Sequence, residues 1–264
     1  MRRRKQHEYS FAARQRAMLA ALLIVALLDL AVSGISVRKI GQETTEQMRM
    51  LTSLHTSLVY EECDRVGYDM RRLLMENTDA TAAAQHGSER EKIYAKGNLI
   101  DRLTYSFGNR EVYHPFFYFE KTGEVLGRPW VDMQDEKERG ILDRVIEEVT
   151  GREELKTDLQ QWISFSHDDV YYMLRAYCYN DVWIACYVPA DHLIDALRQV
   201  YQDEEYQVLL LHGDGEILSG QETANAWRLD EEMLAAGGAW HRWPAGRIQI
   251  VKEDSAVLDI SIAV

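Results

Sequence analysis

A mostly apolar run of 21 residues, 17–37, stands near the start of the chain. At the helical rise of about 1.5 Å per residue this run would be about 31 Å long, which matches the hydrocarbon thickness of a bilayer. We therefore expect a transmembrane helix at 17–37, in contact with the membrane lipid bilayer. The alternative is a cleaved signal peptide, with an apolar core at 17–28 and a small-residue cleavage site at Ala31-Val32-Ser33.

Charge is divided unevenly on the two sides of this run. Residues 1–16 carry six basic side chains and one acidic side chain, whereas residues 38–264 carry 24 basic and 41 acidic side chains, a net charge of −17. Basic segments stay on the cytoplasmic side of a membrane. The chain should therefore lie at the cell membrane with a cytoplasmic N-terminus and an extracytoplasmic main domain. Because phosphate contacts need clustered Lys and Arg, we expect no nucleic-acid partner.

Asp29 is the one acidic residue inside the apolar run. A carboxyl group within a membrane is costly and usually has a partner. It predicts a polar contact with a second membrane helix, or with its own counterpart in a dimer. The alternative is a tolerated polar residue that is drawn toward the nearer membrane surface.

The helical pattern is strongest just after the apolar run, where apolar residues recur at spacings of three and four. Farther on, Ser88 and Glu91 have the spacing of a capping box, which marks the start of a helix. Asp191, after a proline and an alanine, is a plausible N-cap for a later helix. The predicted helices are 38–76, 88–105, 135–149, 191–201 and 229–236, with a small polar loop at 77–87.

Strand-like segments separated by turn residues fill most of the remaining chain. The order of elements predicts two α+β units, each with an antiparallel sheet, joined to one long helix. The predicted strands are 112–119 and 124–130 (a hairpin), 160–166, 170–179 and 182–188 (a meander), 206–212 and 216–219 (a hairpin), 239–243, 247–252 and 256–264.

The turn at Asn180-Asp181 fixes the pairing of the strands on either side of it. A two-residue turn pairs residue i with residue 361 − i, so Cys178 opposes Trp183 and Cys186 opposes Arg175. The two cysteine side chains would then lie on opposite faces of the sheet. A three-residue turn would place them on one face but out of register. Neither arrangement brings their Cα atoms within bonding range, so we expect no disulfide between them.

Three stretches carry a resemblance to a known family: VYHPFFYFEKTGEVLGRPW, YYMLRAYCYNDVWIACYVPADHLIDALRQ and YQVLLLHGDGEILS. Together with the basic N-terminus, the single span and the long helix, they resemble double Cache (dCache) sensor domains. They are most similar to the ectodomains of bacterial transmembrane sensor histidine kinases of the YesM-like type. The resemblance covers about residues 18–264 and lies in the order of elements and the placement of turns.

The resemblance implies an α+β fold, in which an N-terminal transmembrane helix continues into a long helix and two PAS-like (Cache) units with antiparallel sheets follow. The expected domains are 1–16, a cytoplasmic basic tail; 17–37, a transmembrane helix; 38–105, a long extracytoplasmic helix and a second helix; 106–203, a membrane-distal PAS-like sensor unit; and 204–264, a membrane-proximal PAS-like unit, truncated before a second transmembrane helix.

In this family the membrane-distal unit usually binds a small molecule, and the membrane-proximal unit passes the change to a second membrane helix and an output module. The resemblance therefore implies the ligand-sensing region of a membrane-bound signal-transduction receptor. The receptor would be a homodimeric two-component sensor histidine kinase with an unknown small-molecule ligand. The sequence holds no second span or output module, and its end in an apolar strand leads us to expect a fragment.

Aromatic and basic residues in the predicted strands are the candidates for ligand binding. Tyr171, Arg175 and Tyr177 share one face of their strand. Because Arg175 lies among aromatic residues, it needs a counter-charge, which a ligand carboxylate or phosphate could supply. An acidic neighbour or stacking on a tyrosine are the alternatives. The full candidate set is Tyr118, Arg128, Trp130, Tyr171, Arg175 and Tyr177.

The sequence argues against several other functions. The Arg128-Pro129-Trp130 fragment does not reproduce the spaced Tyr-Arg-Trp-Tyr-Asp signature of amino-acid sensors in this family, so that specificity is not carried over. GxSxG, HExxH and phosphate-loop motifs are missing, and the histidines lack metal-ligand spacing. We therefore expect no catalytic residue, metal or cofactor. The alternative functions are a membrane-anchored surface protein with a structural or partner-binding role and, less well supported, a membrane-tethered enzyme.

Overall fold

The first helix, α1 (Arg2–Met75), is 74 residues long. The computed structural model describes residues 2–76, 78–84, 88–127, 135–152, 161–201, 207–212, 216–220, 240–243, 246–249, 252–255 and 260–264. The chain divides into two compact units, Met1–Met50 and Leu51–Val264.

The first unit consists of the N-terminal part of α1, and its side chains from Leu22 to Ile40 are exposed. Asp29 is among these exposed residues. Within the part of the chain that the structure describes, we find no helix with a stretch long and apolar enough to cross a membrane.

A short helix, α2 (Thr78–Ala84), follows α1. The prediction of a loop at 77–87 was therefore wrong for most of that segment. Alanine is the strongest helix former, and α2 contains four alanines. Ala80 and Ala83 are buried, so packing of α2 on its neighbours supports the helix in addition to this propensity.

The next helix, α3 (Glu89–Phe107), begins at the predicted capping box. The Ser88 hydroxyl accepts a hydrogen bond from the Glu91 backbone N–H at 3.3 Å, and the Glu91 carboxylate accepts one from the Ser88 N–H at 2.9 Å. The helix continues two residues past its predicted end, since Phe107 is fully buried in the core.

The centre of the second unit is a five-stranded antiparallel sheet in the order β2-β1-β5-β4-β3. Helices α1 and α3 pack on one face of this sheet, and α4 (Glu136–Gly151) packs on the other. Its strands are β1 (His114–Phe119), β2 (Glu124–Gly127), β3 (Ile163–His167), β4 (Val170–Tyr179) and β5 (Val182–Pro189).

The register of the β4–β5 hairpin is that of the two-residue turn, one of the two alternatives that the sequence left open. Cys178 pairs with Trp183, and Arg175 pairs with Cys186. The turn residues Asn180 and Asp181 have φ angles of 53° and 62°, as a two-residue hairpin turn requires. The two cysteines therefore lie on opposite faces of the sheet.

The chain leaves β5 through a 3₁₀ helix (Ala190–Leu193) and then α5 (Asp195–Val200). The prediction of one helix capped by Asp191 was wrong. Ile194, with φ −116° and ψ 0°, separates the two short helices, and neither of them has a side-chain cap. The Asp191 carboxylate instead accepts hydrogen bonds from Arg198 and Ser219.

A second antiparallel sheet has four strands in the order β10-β11-β6-β7, and β8 and β9 form a separate hairpin. The predicted hairpin of β6 and β7 is confirmed. The predicted strand 247–252 is confirmed for residues 247–249, which belong to β9, whereas Lys252 begins a separate polar strand, β10. The predicted helix 229–236 lies outside the described residues. The strand bounds are β6 (Leu209–His212), β7 (Ile217–Ser219), β8 (Trp240–Trp243), β9 (Gly246–Gln249), β10 (Lys252–Ser255) and β11 (Ile260–Ala263).

Polar contacts join the two sheets. Arg198 of α5 donates to Asp191 at 2.9 Å and to the Ser219 hydroxyl of β7 at 2.6 Å. Tyr171 of β4 donates its hydroxyl to Glu216, beside β7, at 2.7 Å. Burial raises the pKa of Asp191, but hydrogen bonds from Ser219 and Arg198 outweigh it and hold that pKa below its ordinary value.

This junction predicts a loss of stability in acid. Because the pKa of Asp191 is lower in the folded state, its contribution is complete above about pH 4 and is lost as the pH falls through the folded-state pKa. We expect Asp191→Asn to reduce the decline in melting temperature below about pH 4, measured by circular dichroism. Asp168→Asn, at an exposed turn, is the matched control, and an unchanged decline in Asp191→Asn would contradict the prediction.

Candidate functional site

Aromatic side chains line the face of the five-stranded sheet under α4. Because side chains alternate along a strand, Phe116, Tyr172 and Tyr187 from three different strands all face α4. The ring centroids of Tyr172 and Tyr187 are 6.0 Å apart, and those of Phe116 and Tyr187 are 6.5 Å apart. His114 stacks on Tyr187 at 4.9 Å. These rings form an aromatic surface around the Tyr187 ring.

Glu138, in the first turn of α4, lies close enough to Tyr187 for its charge to act on the Tyr187 hydroxyl. Its Oε2 atom is buried and has no hydrogen-bond partner. Burial raises the pKa of the Tyr187 hydroxyl, and the negative charge of Glu138 raises it further. The Tyr187 proton therefore stays in place at physiological pH. A carboxylate oxygen without a donor, beside electron-rich ring faces, can receive a cationic donor such as a protonated amine.

The predicted ligand-binding residues do not form one group. Tyr118 is half-buried and packs with the aromatic cluster under α4. Tyr171, Arg175 and Tyr177 share a face of β4, as predicted, but this face packs toward α1. Arg128 and Trp130, which follow β2 in the chain, lie outside the described residues.

Arg175 is enclosed between β4 and α1. Its side chain is 4% exposed, and its Nη1 atom donates to the Cys63 carbonyl at 3.4 Å. Its guanidinium carbon lies 5.4 Å from the centroid of the Tyr177 ring. A Cβ atom placed on Gly67 would lie 2.3 Å from that carbon, so the guanidinium fills the space left by the glycine. Of the predicted partners for Arg175, stacking on a tyrosine is the one present among the described residues.

Among the described residues, two clefts lie outside the aromatic surface. One, of about 670 Å³, opens beside α1 and is lined in part by His55, Glu62 and His192. The other, of about 730 Å³, opens at the junction of the two sheets beside Asp191 and Arg198. Among the described residues, no group of three or more His, Cys, Asp or Glu side chains is placed to hold a metal ion.

Comparison with known proteins identifies solved structures that share the fold of this chain. No protein-family model matches the sequence, and no curated protein is a significant match. Solved structures do match, among them the extracellular domain of vpHK1S-Z8, a protein assigned as a histidine kinase. That match has a TM-score of 0.52 and 10% identity, and it covers 84% of this chain and 91% of the other.

The sensory domain of the Campylobacter jejuni chemoreceptor Tlp3 (CcmL) matches with a TM-score of 0.51 and 11% identity, over 84% of this chain and 93% of the other. The Tlp3 ligand-binding domain in complex with L-valine matches with a TM-score of 0.50 and 12% identity, over 84% of this chain and 92% of the other. This chain shares its fold with these extracellular sensory domains. At such low identities the likeness establishes the fold alone.

Two residues of the aromatic surface gave no signal in the sequence. Tyr187 belongs to a strand of uniformly apolar character, in which a tyrosine does not stand out. Glu138 belongs to a helix with several acidic residues, and its burial follows only from the packing of α4 on the sheet. The fold brings both residues to the face of the sheet that α4 covers. Alternation along β5 predicts this position for Tyr187 but not for Glu138.

Proposed function

We propose that this chain is the extracytoplasmic ligand-sensing region of a membrane-bound signal-transduction receptor. We further propose that its output is a two-component histidine kinase module outside this sequence, and that the four-stranded sheet belongs to a second PAS-like unit. The support for sensing is the fold together with one observation, the buried and unpartnered Oε2 of Glu138 beside Tyr187.

We propose that the ligand is a small molecule with a protonated amine. The buried Oε2 atom of Glu138 would be favoured by a cationic partner, and the rings of Tyr172 and Tyr187 lie on the same face of the sheet. One solved structure with this fold, the Tlp3 domain, holds L-valine, which is a primary amine. Tyr118 lies on this face of the sheet. Arg128 and Trp130 remain candidate contacts with the ligand, because they precede α4 in the chain. We assign Arg175 and Tyr177 instead to the contact between the sheet and α1.

The test is a thermal-shift screen of the full chain in a non-ionic detergent, against L-amino acids and other primary amines. Each amine is paired with its N-acetyl derivative, which has the same side chain but no charge. We expect at least one amine, but not its acetylated partner, to raise the melting temperature. Glu138→Gln should weaken binding of that amine about 30-fold or more by calorimetry, because it removes the negative charge that pairs with the ammonium group.

Glu147→Gln is the matched control, since Glu147 lies on the same helix with its side chain exposed. It should bind the amine like the unaltered chain. Equal binding by the Glu138 variant would remove Glu138 from the site. A screen in which no amine stabilises the chain would contradict the amine proposal as a whole.

We also propose that residues 17–37 anchor the chain in the membrane and that α1 contributes to a homodimer. The apolar side chains of this segment that the structure describes are exposed, and Leu30 and Val37 are two of them. We expect the full chain to remain in the membrane pellet after alkaline carbonate extraction, and a chain that lacks residues 1–37 to be released. Release of the full chain by carbonate would contradict anchoring.

A further inference from the structure

The cleft at the junction of the two sheets has both polar and apolar surface. Its volume of about 730 Å³ is within the usual range for small-molecule sites. It is lined by apolar side chains and by six residues with polar groups: Ser166, Asp169, Tyr171, Asp191, Arg198 and Ser219. Such a lining suits a ligand that carries several polar groups on an otherwise apolar frame.

Asp191 and Arg198 have hydrogen-bonding capacity left at this cleft. Oδ1 of Asp191 accepts from Nη1 of Arg198 at 2.9 Å and from the Ser219 hydroxyl. Among the described residues, Oδ2 of Asp191 accepts no hydrogen bond and Nε of Arg198 donates none. Both side chains are partly exposed. The pair therefore offers an acceptor and a donor side by side to a ligand in the cleft.

The charge of this pair favours a neutral ligand. Arg198 lies 2.9 Å from the carboxylate of Asp191 and 3.7 Å from that of Asp195. A ligand anion would compete with these two carboxylates for the guanidinium group, and a ligand cation would be repelled by it. A hydroxyl group has no net charge and can both donate and accept a hydrogen bond. Neighbouring hydroxyl groups on one molecule therefore match the Asp191–Arg198 pair.

Tyr171 supplies an aromatic ring at the same cleft. Its hydroxyl donates to Glu216 at 2.7 Å, and this bond between the two sheets limits the movement of the ring. One face of a cyclic sugar exposes C–H groups, which can pack on an aromatic ring while the hydroxyl groups at the edge stay hydrogen-bonded. Ser166 and Asp169, from the β3–β4 hairpin, add a hydroxyl group and a second carboxylate to the lining.

We propose that this cleft is a second binding site, for a neutral sugar or cyclic polyol of about monosaccharide size. Asp191 and Arg198 bind adjacent hydroxyl groups of the ligand, and Tyr171 packs against its C–H face. The ligand contacts residues of both sheets and so stabilises their junction. The site shares no residue with the proposed amine site, so either proposal can fail without the other.

The test is a thermal-shift screen of the full chain against pentoses, hexoses and inositols, in a polyoxyethylene detergent, which has no sugar head group. Each sugar is used at about 5 mM, well below the concentrations at which sugars stabilise proteins by exclusion from the surface. Each is paired with its fully O-methylated derivative, which keeps the ring but has no hydroxyl donors. We expect at least one sugar, but not its methylated partner, to raise the melting temperature saturably by about 2 °C or more.

Calorimetry on variants locates the site, at a temperature at which circular dichroism shows each variant folded. Tyr171→Leu should weaken binding of that sugar about tenfold or more, whereas Tyr171→Phe keeps the ring and should bind within about threefold of the unaltered chain. Asp191→Asn removes the carboxylate and should also weaken binding about tenfold or more. Asp143→Asn, at an exposed position on α4, is the matched control and should bind the sugar normally.

A second measurement does not depend on any variant. A crystal of the unaltered protein soaked in the same sugar should show the sugar in the cleft, and its absence from the cleft would overturn the proposal. A screen in which no sugar stabilises the chain, or in which the methylated partners act equally, would also overturn it. So would binding that persists in Tyr171→Leu or Asp191→Asn. Stabilisation by putrescine, a diamine without hydroxyl groups, and by no sugar would overturn it too, and would assign the cleft to a cation.

Discussion

Gly67→Ala should destabilise the protein by about 1–3 kcal/mol, although alanine is the better helix former by about 1 kcal/mol. Gly67 is buried in α1, and a Cβ atom there would lie 2.3 Å from both the guanidinium carbon and Nη1 of Arg175. Arg175 would have to move within a closed interface. It would then lose its bond to the Cys63 carbonyl and its contact with Tyr177. The free energy of unfolding, from urea titration of the full chain, measures the effect.

Gly97→Ala is the matched control, because Gly97 is also inside a helix but a Cβ there would contact nothing within 4 Å. It should stabilise the protein by up to about 1 kcal/mol. In an Arg175→Met background, Gly67→Ala should become neutral or stabilising, since the guanidinium no longer occupies the space. A coupling energy near zero between the two substitutions would show that Arg175 does not limit the size of residue 67.

Trp183→Ala should destabilise the protein by about 3–5 kcal/mol, the largest effect that we expect from one substitution. Trp183 is 0% exposed in the central strand β5, on the face under α4. Its indole Nε1 donates to the Glu120 carboxylate at 3.1 Å, so the substitution removes a large apolar volume and a hydrogen bond together. Urea titration should show a lower midpoint with an unchanged slope.

Tyr105→Ala provides the comparison for Trp183→Ala, because Tyr105 is also aromatic but is 90% exposed on α3. Its effect should stay within about 0.5 kcal/mol. Trp183→Phe should destabilise less than Trp183→Ala, since the ring refills part of the cavity. If Trp183→Ala lost less than about 1 kcal/mol, the face under α4 would not be a packed core.

The features that the sequence predicted well depend on local signals. The capping box at Ser88 and the two-residue turn at Asn180-Asp181 each lie within a few residues of the structure that they determine. The turn fixes the β4–β5 register. Alternation along β4 places Arg175 and Tyr177 on one face of the sheet. These parts of the fold required no knowledge of distant contacts.

The features that the sequence missed depend on contacts between distant segments. Helix α2 is supported by the burial of Ala80 and Ala83, and the break at Ile194 accompanies contacts of Asp191 with a strand of the second sheet. The predicted ligand-binding residues lie on two faces of the sheet for the same reason. The opposite placement of Tyr118 and Arg175 follows from the pairing of β1 with β5 and from which helices cover each face.

The Asn180-Asp181 turn also limits how the gene can vary over evolution. An insertion or deletion of a single codon in this hairpin would exchange the two faces of the strand beyond it, which would move Arg175 or its partners to the wrong side. Such changes should be eliminated by selection. Lineages that descend from this gene should therefore keep the length of the hairpin, even where little of its amino-acid identity survives.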